Sequence, residues 1–315
     1  MKRREALATA GALLLGSHGS SPAAHAFPRN RGPTSSRKKV FVFVHGAWHC
    51  SLHWARVVER MVKEGHCAVA VDLPGSGTKA MFPRSYFAND WTSFQTEISP
   101  IKDVGLNDYV AAVIPILQAL SASHSKVILV GHSFGGQTIT LAAERAPHLI
   151  ERLVYVTAFC PALQGDGSAD AYAYLPENES SQIGPVAVGD PERTGAYRLN
   201  PRSPDGAYLE RVRQAFYGDV DTDEFLKFVA YLNPDAPCRA ARDDGRGSIG
   251  RWGSVPRTYV RCTRDLAIPL ALQDRMIREA DQFTPRNRFV VESLESSHSP
   301  FASMPDRLSA LLMSS

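Results

Sequence analysis

The sequence predicts an α/β fold built on a mostly parallel central sheet. Three observations carry that prediction. Short apolar runs without alternation, such as "VFVFV" and "KVILV", read as strands buried on both faces. Stretches of helical periodicity separate them, giving β-α-β-α-β-α-β order. One such junction, "ILVGHSFGGQT" (128–138), passes from strand to helix through a serine flanked by glycines.

The elements follow in chain order. Residues 1–26 are set aside as an export leader: a basic start at Lys2, Arg3 and Arg4, an apolar run from Ala6 to Leu15, and Ala24-His25-Ala26 as a cleavage site before Phe27. The apolar run is too short to span a bilayer. Paired Arg3-Arg4 fits a twin-arginine leader, although Glu5 and Ala6 depart from the usual residues after the pair. The expected location is therefore periplasmic or secreted, with no membrane anchor in the mature form. Residues 27–38 read as a Pro/Gly/Ser/Arg linker, and 39–315 as the folded domain.

Within that domain "KVFVFV" is the first strand. "SLHWARVVERMVKEG" has Trp54, Val57, Val58, Met61 and Val62 at helical spacing and Gly65 as its stop. "CAVAVDLPGSG" is a strand ending in a turn. "LNDYVAAVIPILQALSAS" is a helix with Asn107 or Asp108 near its cap, in which Pro115 marks a kink or a late first turn. "KVILVGHS", "TITLAAERAP" and "IERLVYVTAFCP" complete strand, helix, strand. Residues 161–250 change texture. They are polar and only partly periodic, with short helices at "DGAYLERVRQAFYG" and "DTDEFLKFVAYLN", and read as a cap inserted before the next strand. The alternation then resumes with "VPRTYVRC", "PLALQDRMIREA", "RFVVESL" and a closing helix "PDRLSALLMSS".

Composition narrows the function classes. Net charge is +3, and Lys2, Arg3 and Arg4 against Glu5 supply two of those charges. Without a basic patch, nucleic acid is not an expected partner. The five cysteines, Cys50, Cys67, Cys160, Cys238 and Cys262, form no C-x-x-C and no metal-ligand spacing with histidine. No metal or cofactor is expected. Export would permit a disulfide, and five mostly buried thiols is the competing reading.

Gly131-His132-Ser133-Phe134-Gly135 fits G-x-S-x-G between strand and helix. The glycines remove Cβ atoms that would clash where the chain turns, and the turn lifts the Ser133 hydroxyl above the sheet. The helix behind it directs N–H groups toward a developing oxyanion. A serine hydroxyl needs a base. His298, on the loop after the last strand, would be general base and then general acid. Asp265, on the loop after the preceding strand, would fix the His298 tautomer. Both sit at carboxyl ends of strands, where open α/β sheets place their sites. His132 adjoins the serine on the wrong side to act as base and reads as a packing residue. Asp243 and Asp244 read as solvated. His45 and His49 belong to "VHGAWH", whose Gly46-Ala47 bend would turn the Ala47 N–H toward the serine. With the Phe134 N–H it would form an oxyanion hole, worth about 3–4 kcal/mol per donor.

At these residues the chain resembles the α/β-hydrolase superfamily, and within it the plant methylesterase and hydroxynitrile lyase group with its bacterial esterase relatives. "FVHGAWH", "GHCAVAVDLPGSG", "KVILVGHSFGG" and "RDLAIPLALQDRMI" carry the resemblance, over residues 39–160 and 254–312. Residues 79–105 look like an extra segment, and both it and 161–250 are expected to border the acyl or alcohol pocket. The lyases of this group are similar to one another in a threonine after the first-strand histidine and a lysine after the catalytic histidine. Gly46 and Ser299 stand there in this chain, which favours hydrolysis. Ser133 argues against superfamily members that use an aspartate at this turn.

The expected activity is cofactor-free hydrolysis of a small carboxylic ester through an acyl-enzyme. The alternatives are lactone, amide or C–C cleavage on the same triad, and a non-enzymatic ligand-binding module.

Overall fold

The computed structural model describes residues 38–123, 126–163 and 165–314. The leader and, except for Lys38, the linker lie outside the described residues.

Six strands form one wholly parallel sheet: β1 (Val40–Val44), β2 (Cys67–Val71), β3 (Val127–Ser133), β4 (Ile150–Ala158), then, after the cap, β7 (Arg257–Cys262) and β8 (Val290–Leu294). The spatial order is β2-β1-β3-β4-β7-β8. The "VFVFV" run shows why the apolar pattern is continuous. Val40, Val42 and Val44 face a layer with Leu129, Leu153, Tyr155 and the helices Leu106–Ser123, Gly135–Arg145 and Leu270–Phe283. Phe41 and Phe43 face the opposite layer with Ile128, Val130, Val154 and the helices Ala55–Lys63 and Pro305–Ser314. With helices on both faces, every side chain of the strand is buried. The edges behave differently. Four of the five β2 residues are only half-buried, and Val290 and Val291 of β8 are exposed.

Two local readings change. Residues 51–63 split into a 3₁₀ turn, Ser51–Trp54, and the helix Ala55–Lys63. Trp54, Val57 and Met61 are buried, whereas Val58 is half-buried and Val62 exposed, because at 100° per residue Val62 rotates off the apolar stripe. Pro115 lies inside the helix Leu106–Ser123, not in its first turn. All five cysteines are unpaired, and four are buried.

Between β4 and β7 the chain forms short 3₁₀ turns, an antiparallel pair β5 (Ala196–Arg198) and β6 (Asp235–Pro237), and the helices Gly206–Tyr217 and Thr222–Val229. The β5–β6 pair holds the extra segment as well. Arg198 is fully buried and forks onto Asp235, Nε to Oδ1 at 2.6 Å and Nη2 to Oδ2 at 2.8 Å. Its Nη1 donates to the carbonyls of Phe94 and Glu97 (3.0 Å to Glu97), and its guanidinium lies 4.6 Å from the Phe94 ring centre. Breaking a buried ion pair by removing one partner costs about 3–5 kcal/mol. Four of the five guanidinium N–H groups of Arg198 thus tie residues 79–105 to the cap, beside the Ser99 N–H on the Thr194 carbonyl at 2.8 Å.

Candidate active site

Ser133 ends β3 with φ of 52°, in the left-handed region that a non-glycine residue enters only under constraint. The neighbouring glycines show the constraint. A Cβ at Gly135 would lie 2.6 Å from the His45 carbonyl oxygen, and one at Gly136 would lie 2.0 Å from that of Phe159. The helix Gly135–Arg145 can start behind the serine only because these positions are bare. Ser133 itself is 7% exposed.

Asp265 and His298 meet at the carboxyl ends of β7 and β8. His298 Nδ1 donates to Asp265 Oδ2 at 2.7 Å, with both side chains buried. That bond fixes the tautomer, leaving Nε2 as the basic nitrogen. Asp265 is held by more than the histidine. Its Oδ1 accepts the N–H groups of Ala267 (2.7 Å) and Ile268 (2.9 Å), and its Oδ2 also accepts the Thr157 hydroxyl. Thr157 stands at φ 38°, unusual for a β-branched residue, at the end of β4. His298 and Ser133 share no direct hydrogen bond in this structure. They are linked through His132, whose ring lies 4.5 Å from that of His298 and whose Nε2–H donates to the His298 carbonyl at 2.8 Å. Catalytic hydrogen bonds are often long in the unliganded state and tighten with substrate.

The loop after β1 lies directly against the serine. A Cβ at Gly46 would fall 2.5 Å from Ser133 Cβ. His45 Nδ1–H donates to the Gly46 carbonyl at 2.8 Å. Carbonyl and amide point opposite ways across a trans peptide, so this bond turns the Ala47 N–H away from His45. His49 Nδ1–H holds the next carbonyl, that of Ala47, at 2.7 Å, and its Nε2 accepts the Tyr217 hydroxyl at 2.9 Å. Asn233 from the cap donates its main-chain N–H to the Trp48 carbonyl (2.7 Å) and its carboxamide to the carbonyls of Trp48 and His49 (both 3.2 Å). Trp48, at φ 60°, donates its indole N–H to the Tyr197 carbonyl at 2.8 Å. The cap therefore clamps the loop at three points.

Four buried histidines surround this loop. Burial in apolar packing lowers His45 to about 4 and His53 to about 3, and holds His49 and His132 well below the usual value. All four are neutral at pH 7, so they can orient peptides without adding charge near the serine. Tyr217→Phe is expected to lower kcat about tenfold with a smaller change in KM. It leaves the ring packing in place and removes the bond that sets the His49 ring, about 1.4 kcal/mol of orientation, together with the contact of the hydroxyl with Ser299. Steady-state kinetics on one ester measure this; an unchanged kcat would mean the Ala47 peptide is held without it.

Tyr217, Asn233, Tyr197 and Thr157 have no sequence signature, since each reaches the site from a distant part of the chain. Of the rival residues, Asp243 accepts the Leu106 N–H at 2.8 Å at a helix start, and Asp244 pairs with Arg246 at 2.7 Å. Asp244 is exposed and its bond is local, whereas Asp243 is half-buried rather than solvated and joins the cap to the start of the helix Leu106–Ser123.

Comparison with known proteins gives the same architecture. The model of the Alpha/beta hydrolase family matches residues 41–311. Methylesterase 7 of Arabidopsis thaliana is 29% identical, over 88% of this chain and 96% of its own length. Norfluorocurarine synthase 1 of Strychnos nux-vomica is 27% identical, over 88% and 95%. Among solved structures, a pyrethroid hydrolase from Sphingobium faniae JZ-2 superposes with a TM-score of 0.67 at 22% identity, over 88% of this chain and 96% of that one. Polyneuridine aldehyde esterase superposes at 0.66 and 21% identity, over 88% and 99%. With its serine turn, its parallel sheet and a family match across nearly the whole described chain, the protein belongs to the alpha/beta hydrolase family.

Proposed function

We propose that the protein hydrolyses a carboxylic ester through a serine acyl-enzyme. The observation that carries this reading is the placement of Ser133 in a left-handed turn between β3 and a helix, beside a buried Asp265–His298 pair. His298 Nε2 takes the Ser133 proton as the hydroxyl oxygen attacks the ester carbonyl. The N–H groups of Ala47 and Phe134 receive the tetrahedral oxyanion. His298 then protonates the departing alcohol, and a water activated by the same nitrogen releases the acid. The methylesterase relatives support an ester as substrate.

Gly46 favours hydrolysis over the lyase alternative on steric grounds. A threonine at this position would bring its Cβ within 2.5 Å of Ser133 Cβ, so this backbone leaves no room for one. Ser299 supplies no cation beside His298 and is fully buried. The test is a panel of methyl and p-nitrophenyl esters of graded acyl size, together with a fluorophosphonate probe. One equivalent of probe should attach to Ser133 and abolish turnover. Labelling elsewhere, or turnover that survives labelling, would remove the proposal.

A further inference from the structure

The extra segment and the cap were expected to border the acyl or alcohol pocket. They do enclose a cavity, of about 500 Å³, but its lining contains none of Ser133, Ala47, Phe134, Asp265 or His298. Cys50, Ser51 and Leu52, just beyond the loop that follows β1, form one wall, with Asn233 also in the lining. Its size is that of a small-molecule site.

The chemistry of the walls is selective. Phe82, Tyr86 and Phe87 come from the extra segment, and Tyr231 and Arg202 from the cap. Leu52, Phe87 and Tyr231 are 53%, 61% and 49% exposed, so three large apolar side chains stand open to solvent around one cavity. Clustered exposure of this kind marks a binding surface more than scattered apolar residues do. Arg202 is the cation of the lining. Its guanidinium carbon lies 5.4 Å from the Tyr86 ring centre and 5.6 Å from that of Phe87, and its one side-chain hydrogen bond is a long one, Nη1 to the Tyr86 carbonyl at 3.4 Å. Among the described residues it has no carboxylate partner. The one acid of the lining, Asp72, is already committed: Oδ1 accepts the Ser51 N–H at 2.8 Å, and Oδ2 accepts the Thr78 N–H and hydroxyl, each at 2.9 Å. A guanidinium stacked on aromatic rings keeps its N–H edge free for bidentate contact with a carboxylate.

We propose that this cavity is a second ligand site, separate from the catalytic serine, and that it takes an aromatic carboxylate. The rings of Phe82, Tyr86, Phe87 and Tyr231 receive the aromatic body, and Arg202 receives the anion.

Calorimetric titration with 2-naphthoate and with its neutral counterpart 2-naphthylmethanol tests the assignment. The acid should bind at one site about tenfold more tightly than the alcohol, as a charge-assisted hydrogen bond implies. Arg202→Gln should erase that preference, and Phe87→Ala should weaken both ligands. Thermal melts of the two variants report whether they remain folded. Binding of the acid should also persist on protein whose Ser133 carries the fluorophosphonate. No binding, equal affinity for acid and alcohol, a preference that survives Arg202→Gln, or loss of binding on labelling would each overturn the proposal. If Ser133 fails to label, the esterase reading falls, while the Arg202 comparison still decides the cavity.

Discussion

Ser133→Ala is expected to lower kcat by about 10⁵- to 10⁶-fold, the scale seen when a serine nucleophile is removed from a triad. The fold should survive. Alanine meets the same positive φ as serine, and the Ser133 hydroxyl makes no hydrogen bond on which the surrounding structure depends. Thermal melts of mutant and parent should therefore coincide within a few degrees, while turnover of any ester accepted by the parent disappears. The residual rate, if above background, measures what the Ala47 and Phe134 N–H groups and binding alone supply. A variant retaining a tenth of the parent kcat would exclude Ser133 as the nucleophile.

Asp265→Asn is expected to cost about 10⁴-fold in kcat with little change in KM, and the hydrogen bonds of the site give the reason. The main-chain N–H groups of Ala267 and Ile268 both donate to Oδ1, so that position must stay an oxygen in the amide. The amide nitrogen is then forced onto the other side, facing His298 and Thr157. As a donor it demands a bare Nδ1 on His298, which places the histidine proton on Nε2, where the serine proton should go. Asparagine here does not merely remove a charge; it locks in the wrong tautomer. Steady-state kinetics provide the check, and a loss below tenfold would remove Asp265 as the orienting acid.

The parts of the site that could be read from sequence are those encoded locally. Ser133 stands out because the glycines that permit its turn are its near neighbours in the chain. Asp265 and His298 follow from being on loops after strands, since a parallel sheet gathers all its carboxyl ends along one edge. The burial of β1 was equally legible, because a strand covered on both faces needs no alternation. Tyr217, Asn233 and Thr157 were not legible, because their roles exist only once the chain has brought together residues far apart in sequence. The extra segment shows a different limit. The family resemblance marked it as bordering a pocket, but a resemblance names no partners, and the lining of the cavity it helps to form does not include the serine.

The four buried histidines also set how the fold responds to acid. In the unfolded chain each would titrate near 6.5. In the native state desolvation holds His45 at about 4 and His53 at about 3, with His49 and His132 also far below 6.5. Above pH 6.5 neither state is protonated at these sites and they contribute no pH dependence. Below it the unfolded chain takes up protons that the native packing refuses. Stability then falls with pH, by about 1.4 kcal/mol per pH unit for each such group, down to its native value. A domain is stable by only about 5–15 kcal/mol, so the urea midpoint should decline steeply between pH 6.5 and 5; a flat midpoint there would contradict it. The price of orienting the loop with uncharged rings is a native state that is a poor sink for protons, and denaturation by mild acid follows from that.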